Sequence, residues 1–388
     1  MDRPRRSPAA VQLVAGVDAA DDMFGSLAGC PPRPLEYPVV PDLDDYDVDD
    51  APVAGRPAPA SDKTLAVHAG EKLGSGAAAA ETDSIATPIV GGTTHWFRDS
   101  ADLIAFREGR RRSFEYGRYG NPTVKVLEEK ISALERAEAT LVTSSGMNAI
   151  VATLLALVPP GGHVVATADC YNEARAFIRD KLSNMGITVV DVTRVAELCH
   201  RRGALVCIDS TLASPINQKP LALGADVVLH SATKYIAGHH DVIAGCVSGS
   251  EALVSRIRTW HHDLGGAISP NAAYMIIRGL KTLALRVQAQ NRTALRMARL
   301  LEKHPKIERV YYPGLESSPW HGVATRQMAG AGGVVGLEVA SDMRGAMRGK
   351  CDEEKANNGI KDNFVRFSFG IEKFEDLRDD ILQALGKI

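Results

Sequence analysis

The chain has 388 residues, 45% hydrophobic and 24% charged, with a formal net charge of −2. That length allows two domains with sizeable cores, and the composition is ordinary for a folded globular protein. The charge balance gives no reason to expect nucleic acid or a membrane surface as partner. The longest apolar stretch, 150–158, interrupted by Thr153, is far too short to span a bilayer. Six cysteines are scattered without a CxxC pair, which suits a reduced compartment better than a disulfide framework or a zinc site. The histidine pairs at 239–240 and 261–262 are adjacent, not spaced i, i+4 on a helix, so no metal site is expected.

Ten of the 20 prolines lie in the first sixty residues, with an acidic run from Asp42 to Asp50. Such a stretch buries too little apolar surface to offset its ordering entropy, so residues 1–62 are expected to be disordered. Arg3, Arg5 and Arg6 would suit a targeting leader, although Asp18, Asp21 and Asp22 are unusual in one. Residues 63–112 read as an irregular arm with one short helix at 101–109. Then Asn121 caps a helix with Pro122 in its first position and Val124, Leu127, Ile131 and Leu134 on one face. Ahead of that cap, Tyr116 and Arg118 sit in a glycine-rich loop. They read either as a solvated surface loop or as an anion clamp.

From here the pattern is βαβα. A strand at 139–144 runs through Ser145-Gly146-Met147 into an apolar helix at 148–158, a turn whose free N–H groups suit an anion. A strand at 163–169 is followed by Tyr171, placed either to stack on a flat ring or to cap the core. A helix at 173–184, a strand at 187–192 and a short helix at 195–202 lead to a strand at 204–209. That strand ends in Asp209, which reads as a turn acid or as the partner of a buried cation.

The run DVVLHSATKYIAGHHD, 226–241, combines a buried strand with Ser231, Thr233 and Lys234 at its mouth. Two hydroxyls beside a lysine are what a pyridoxal phosphate (PLP) site needs: the amine forms the Schiff base and the hydroxyls bind phosphate. Asp209 would then keep the pyridine nitrogen protonated. A strand at 244–250, a long helical stretch at 271–304 and a smaller α+β domain follow. The small domain holds strands at 306–312, 334–339 and 364–369 and a helix at 374–385. Arg366 interrupts the last strand, as an edge arginine or as a bidentate carboxylate binder.

Together HAGEKLG (68–74), FEYGRYGNPT (114–123), SSGM (144–147), DCY (169–171), GALVCID (203–209), the segment 221–249, NAAYMIIRGLKTLALRVQAQN (271–291) and NFVRFSFGIE (363–372) resemble the cystathionine γ-synthase family of transsulfuration enzymes, most closely its plant members. The resemblance implies an α/β, fold-type I architecture of the aspartate aminotransferase kind. A PLP-binding large domain would span 113–270, with a mostly parallel sheet, and a C-terminal α+β domain 271–388. It also implies PLP as cofactor, with Lys234 as the Schiff-base lysine and proton shuttle and Tyr171 stacked on the ring as the second catalytic residue. Asp209 would hold the pyridine nitrogen. Gly146, Met147, Ser231 and Thr233 would bind the phosphate, joined by Tyr116 and Arg118 from a neighbouring subunit of a homodimer or homotetramer. Arg366, with Tyr116, would bind substrate. The implied reaction joins O-phosphohomoserine, or another O-activated homoserine, to cysteine in methionine biosynthesis, in the plastid by resemblance and otherwise in the cytoplasm. A sibling γ-lyase is the enzymatic alternative.

Two stretches of the family pattern have no counterpart. One lies near 192–194, where the family has an interior strand and an ESPTNP motif. The other lies near 340–362, where a polar stretch replaces a helix, a strand and a substrate loop. The first loss is expected to leave a gap in the sheet or to force its flanking strands to pair. A non-catalytic chain that binds PLP or full-length subunits is therefore the second functional expectation.

Overall fold

The computed structural model describes residues 11–15, 60–71, 84–160, 163–166, 171, 173–174, 192–340 and 363–387. In chain order, β1 is Val11–Ala15 and α1 is Asp62–His68. Next come α2 Ser100–Arg107 and α3 Pro122–Glu135. Then β2 Ala139–Thr143, α4 Gly146–Leu157 and β3 Val164–Ala166 lead to α5 Val192–His200. The sheet continues with β4 Leu205–Asp209, β5 Val227–His230 and β6 Gly245–Gly249. Helices α6 Glu251–Leu264, α7 Pro270–Leu280 and α8 Leu283–Leu301 follow. The small domain holds β7 Ile307–Tyr311, α9 His321–Gln327, β8 Val334–Val339, β9 Phe364–Ser368 and α10 Phe374–Gly386.

The large sheet runs in the order β2-β6-β5-β4-β1-β3, parallel except for β6, which is antiparallel to both of its neighbours. Successive strand residues face opposite layers, as the pleat requires. Leu141, Val247 and Leu229 pack with Ile150, Leu154 and Ile257 of α4 and α6. Val142 and Cys246 pack the other way, with Leu127, Ile131, Ile276 and Leu280 of α3 and α7. The result is a helix–sheet–helix sandwich. The three-stranded sheet β7-β8-β9 has its own core, in which Met297, Leu301, Val335, Leu337 and Ile381 meet.

Local chemistry explains the element ends. Asn121 accepts from the amides of Thr123 and Val124 with Pro122 in the first turn, and Leu127, Ile131 and Leu134 are fully buried. The long helical stretch divides at Lys281–Thr282 into α7 and α8. Residue 192, expected to close a strand, instead opens α5, three residues earlier than the expected helix. The helix and strand expected at 173–191 fall almost wholly outside the described residues.

The position of β1 differs most from expectation. It lies inside the stretch expected from composition to be disordered, yet it pairs in parallel with β3 (Val11 with Val164) and with β4 (Val11 with Leu205 through Ala15 with Asp209). Strands β3 and β4 therefore neither face a gap nor pair with each other. The apolar sequence VQLVA takes the interior place between them, and the backbone groups of both neighbours gain ladder partners.

Candidate active site

The lysine segment leaves the end of β5 as a tight turn. Ser231 donates its amide to the Thr211 hydroxyl at 2.8 Å, and its carbonyl accepts from Lys234 N–H at 3.1 Å. Thr233 is tied sideways: its hydroxyl donates to the Ala244 carbonyl at 3.1 Å and accepts from the Ala244 amide at 3.0 Å. Lys234 is exposed, and its amine has no hydrogen bond or ion pair among the described residues. A nucleophilic amine needs that availability.

Asp209 ends β4 one strand away, in register with Leu229. Its Oδ1 accepts from the Thr211 amide at 3.0 Å and from the Thr211 hydroxyl at 2.5 Å. The turn geometry weighed in the sequence is thus present, and it occupies one oxygen. Among the described residues Oδ2 has no partner, which leaves it for a cationic N–H. Thr211, which carries no sequence signal of its own, links the acid to the lysine segment through one hydroxyl.

At the third corner, Ser145 caps α4 through the Asn148 amide at 3.0 Å. The amides of Gly146 and Met147 are left at the positive end of a 12-residue helix without an intrahelical acceptor. A Cβ on Gly146 would stand 3.0 Å from Ser231 Cβ, so this turn packs closely against the lysine segment and a larger residue would press the two apart. Gly146, Ser231, Asp209 and Lys234 therefore share one locale, with free N–H donors, hydroxyls, an unpaired carboxylate oxygen and a free amine. That donor set fits the phosphate, pyridine nitrogen and aldehyde carbon of PLP.

Among the described residues no hydrogen bond or ion pair joins the other expected residues to this locale. Tyr171 is 56% exposed, and its chain neighbours lie outside the described residues. Arg118 lies over the rings of Tyr116 (5.5 Å) and Tyr119 (5.0 Å) and donates to the His262 carbonyl at 2.8 Å. It lines a cleft of about 560 Å³ bounded by α3 and α6, to which Lys234 does not contribute. Burial pushes the His261 and His262 imidazoles in this region below their ordinary range, His262 also through its cationic neighbours. Within one chain, then, Tyr116 and Arg118 do not reach the lysine. Arg366 is exposed on edge strand β9, opposite Gly336, and no carboxylate pairs with it among the described residues.

The sequence profile of Cys/Met metabolism PLP-dependent enzymes matches residues 63–190 and 180–350. The chain belongs to this family. It is thereby a PLP-dependent enzyme of the transsulfuration group. Among relatives, cystathionine gamma-synthase 1, chloroplastic, of Nicotiana tabacum is 51% identical over 84% of this chain and 72% of its own. A probable cystathionine gamma-synthase 2 of Arabidopsis thaliana is 48% identical over 79% of this chain and 90% of its own. The solved cystathionine gamma synthase of Xanthomonas oryzae, in complex with cystathionine, superposes with a TM-score of 0.76 at 29% identity, over 84% of this chain and 98% of that one. The fold-type I expectation is met.

The chain is shorter than a relative across the matched region. Its match to the tobacco relative extends over 393 positions, yet takes in 84% of a 388-residue chain. Several tens of the relative's positions therefore have no counterpart here.

Proposed function

We propose that this family member is a cystathionine γ-synthase that replaces the γ-oxygen substituent of an activated homoserine, O-phosphohomoserine foremost, by the thiol of cysteine. The contact of Gly146 with Ser231, beside an unpaired Lys234 amine, carries the reading, and the likeness to plant synthases supports the choice of reaction. PLP bound there supplies an electron sink for the charge left at the substrate α-carbon when its proton departs.

The chain's own residues divide the rest of the work. Lys234 would hold the cofactor covalently. Once released, its amine takes the α-proton and then serves the β-carbon. Asp209 would hold the pyridine nitrogen through its free Oδ2, and Tyr171 would stack on the ring. The amides of Gly146 and Met147 and the hydroxyls of Ser231 and Thr233 receive the phosphate, Thr233 by turning from Ala244. Arg366 clamps the α-carboxylate in bidentate fashion. Tyr116 and Arg118 complete the phosphate and substrate sites of a partner subunit in a homodimer or homotetramer, which accounts for their distance from Lys234 within one chain. In the net reaction the γ C–O bond breaks, phosphate leaves, a C–S bond forms and the thiol gives up its proton. The working units are the arm, the large domain and the small domain near the boundaries 63, 113 and 271, and the site of action is the plastid.

The absent positions favour a second reading, a chain that binds PLP or full-length subunits without turnover. The decisive first experiment is a visible absorption spectrum of the purified chain with PLP. The lysine-bound cofactor band is expected in the wild type and lost in Lys234→Ala. A folded protein without the band would overturn the first reading and the PLP-binding form of the second.

A further inference from the structure

Both polar atoms of the Gly332–Gly333 peptide are held by tyrosines from different domains. The Tyr312 hydroxyl donates to the Gly332 carbonyl at 2.9 Å, and the Gly333 amide donates to the Tyr235 hydroxyl at 3.0 Å. The two outer groups of the dipeptide are taken as well. Gly332 N–H donates to Asn291 Oδ1 at 3.0 Å, and the Gly333 carbonyl accepts from Phe369 N–H at 2.7 Å. Four elements thus meet on two buried glycines: the lysine turn, α8, the end of β7 and the end of β9. The glycines are required. Gly332 has φ +82°, and a Cβ on Gly333 would stand 2.9 Å from the Phe369 carbonyl and 3.2 Å from the Tyr235 hydroxyl.

Tyr235 follows Lys234 directly, and Phe369 lies three residues beyond Arg366. Tyr235 is also fixed from below. Arg286, 7% exposed, donates to the Tyr235 carbonyl at 2.9 Å, to the Gly279 carbonyl at 2.9 Å and to the Thr282 hydroxyl at 3.1 Å. The guanidinium crowds the lysine turn so closely that a Cβ on Gly238 would stand 2.0 Å from it.

We infer that Tyr235 is a positioning residue, whose hydroxyl couples the lysine turn to β9 through Gly333 and so sets Lys234 against Arg366. The inference rests on the proposed roles of Lys234 and Arg366, but the coupling itself can be measured without them. Tyr235→Phe keeps the ring and leaves the buried Gly333 amide without an acceptor. Amide exchange across 363–369 is expected to speed up about tenfold, with the β2–β6 ladder unchanged. The cofactor band should persist, while the KM for O-phosphohomoserine rises several-fold and more than kcat falls. In an Arg366→Ala background the same substitution should add little further to KM, because both act through one contact. Tyr312→Phe strips the other end of the peptide without touching the lysine turn, so it should loosen the node and leave KM nearly unmoved.

Unchanged exchange at 363–369 in Tyr235→Phe would overturn the coupling, and so would KM effects that add fully to those of Arg366→Ala. A wild-type chain lacking the cofactor band would instead overturn the functional reading, with exchange still deciding the coupling. If Tyr235→Phe does not fold, Arg286→Lys, which loosens the Tyr235 carbonyl and alters neither Gly333 nor Phe369, provides the exchange readout instead.

Discussion

Thr211 donates its hydroxyl to Oδ1 of Asp209 across 2.5 Å, and that hydroxyl oxygen accepts from the Ser231 amide at 2.8 Å. One threonine thus fixes the distance between the acid at the end of β4 and the hydroxyl segment after β5. Thr211→Val keeps the shape and removes both bonds. Loss of the hydroxyl is expected to destabilise the fold by about 1–3 kcal/mol, since the Ser231 amide loses its acceptor. PLP affinity should fall about tenfold, the equivalent of about 1.4 kcal/mol. Titration of cofactor-free protein with PLP, beside a melting curve, checks both. An unchanged affinity would show that the Asp209–Ser231 spacing does not depend on Thr211.

The interior place of β1 makes the N-terminal residues part of the catalytic sheet. Leu13 stands in register with Ala166 on one side and Cys207 on the other. Proline there removes a ladder donor in the middle of a sheet, where it is not tolerated. Leu13→Pro is expected to cost about 3 kcal/mol or more, at the upper end of single-substitution effects, and to expose the 205–209 amides to exchange. Val11→Ile, which keeps the donor, should change neither. Unaltered protection at 205–209 in Leu13→Pro would remove β1 from the sheet.

A buried cluster ties the arm to the large domain. Glu71 pairs with Lys130 at 3.2 Å and with Lys281 at 3.2 Å, and accepts from the Thr87 hydroxyl at 2.9 Å. Burial pushes the Glu71 carboxyl up, but the Lys130 ammonium, the Thr87 hydroxyl and Lys281 outweigh it and hold the group below its ordinary range. A depressed folded-state value means that its contribution is complete above the unfolded value of 4.5. It is lost as pH falls through the lower, folded value. Glu71→Gln should therefore flatten the acid limb of the stability curve below pH 4.5. At neutral pH it should destabilise by about 3–5 kcal/mol, because the fully buried Lys130 loses its counter-charge. Denaturation as a function of pH checks both.

Arg118 gives a test of the proposal that the site is shared between subunits. Mixed Arg118→Ala and Lys234→Ala subunits are expected to regain activity above either variant alone, since one hybrid site would keep both residues. No gain on mixing, with wild type active, would place Arg118 in its own chain's chemistry or in none.

Much of this architecture is legible in the sequence, for identifiable reasons. Asn121-Pro122 and the buried Leu127, Ile131 and Leu134 announce α3 because capping and periodicity are local. Asp209, Ser231 and Lys234 are visible because each ends or follows an apolar strand. Thr211 is not, since a threonine after a strand-end acid reads as turn chemistry, and its second bond comes from a residue twenty positions on. The node at Gly332–Gly333 is equally hidden, because its four partners come from four elements. VQLVA is concealed by its surroundings: five residues with strand character inside a proline- and acid-rich stretch. The division between α7 and α8 escapes because LKTLAL keeps helical periodicity across the break.

The central claim is tested most directly by incubating the purified, PLP-loaded chain with O-phosphohomoserine and cysteine and measuring cystathionine and free phosphate together. The account predicts equimolar cystathionine and phosphate, dependent on cysteine and absent in Lys234→Ala. A folded, PLP-bound chain that forms no cystathionine, or that releases phosphate equally without cysteine, would contradict it.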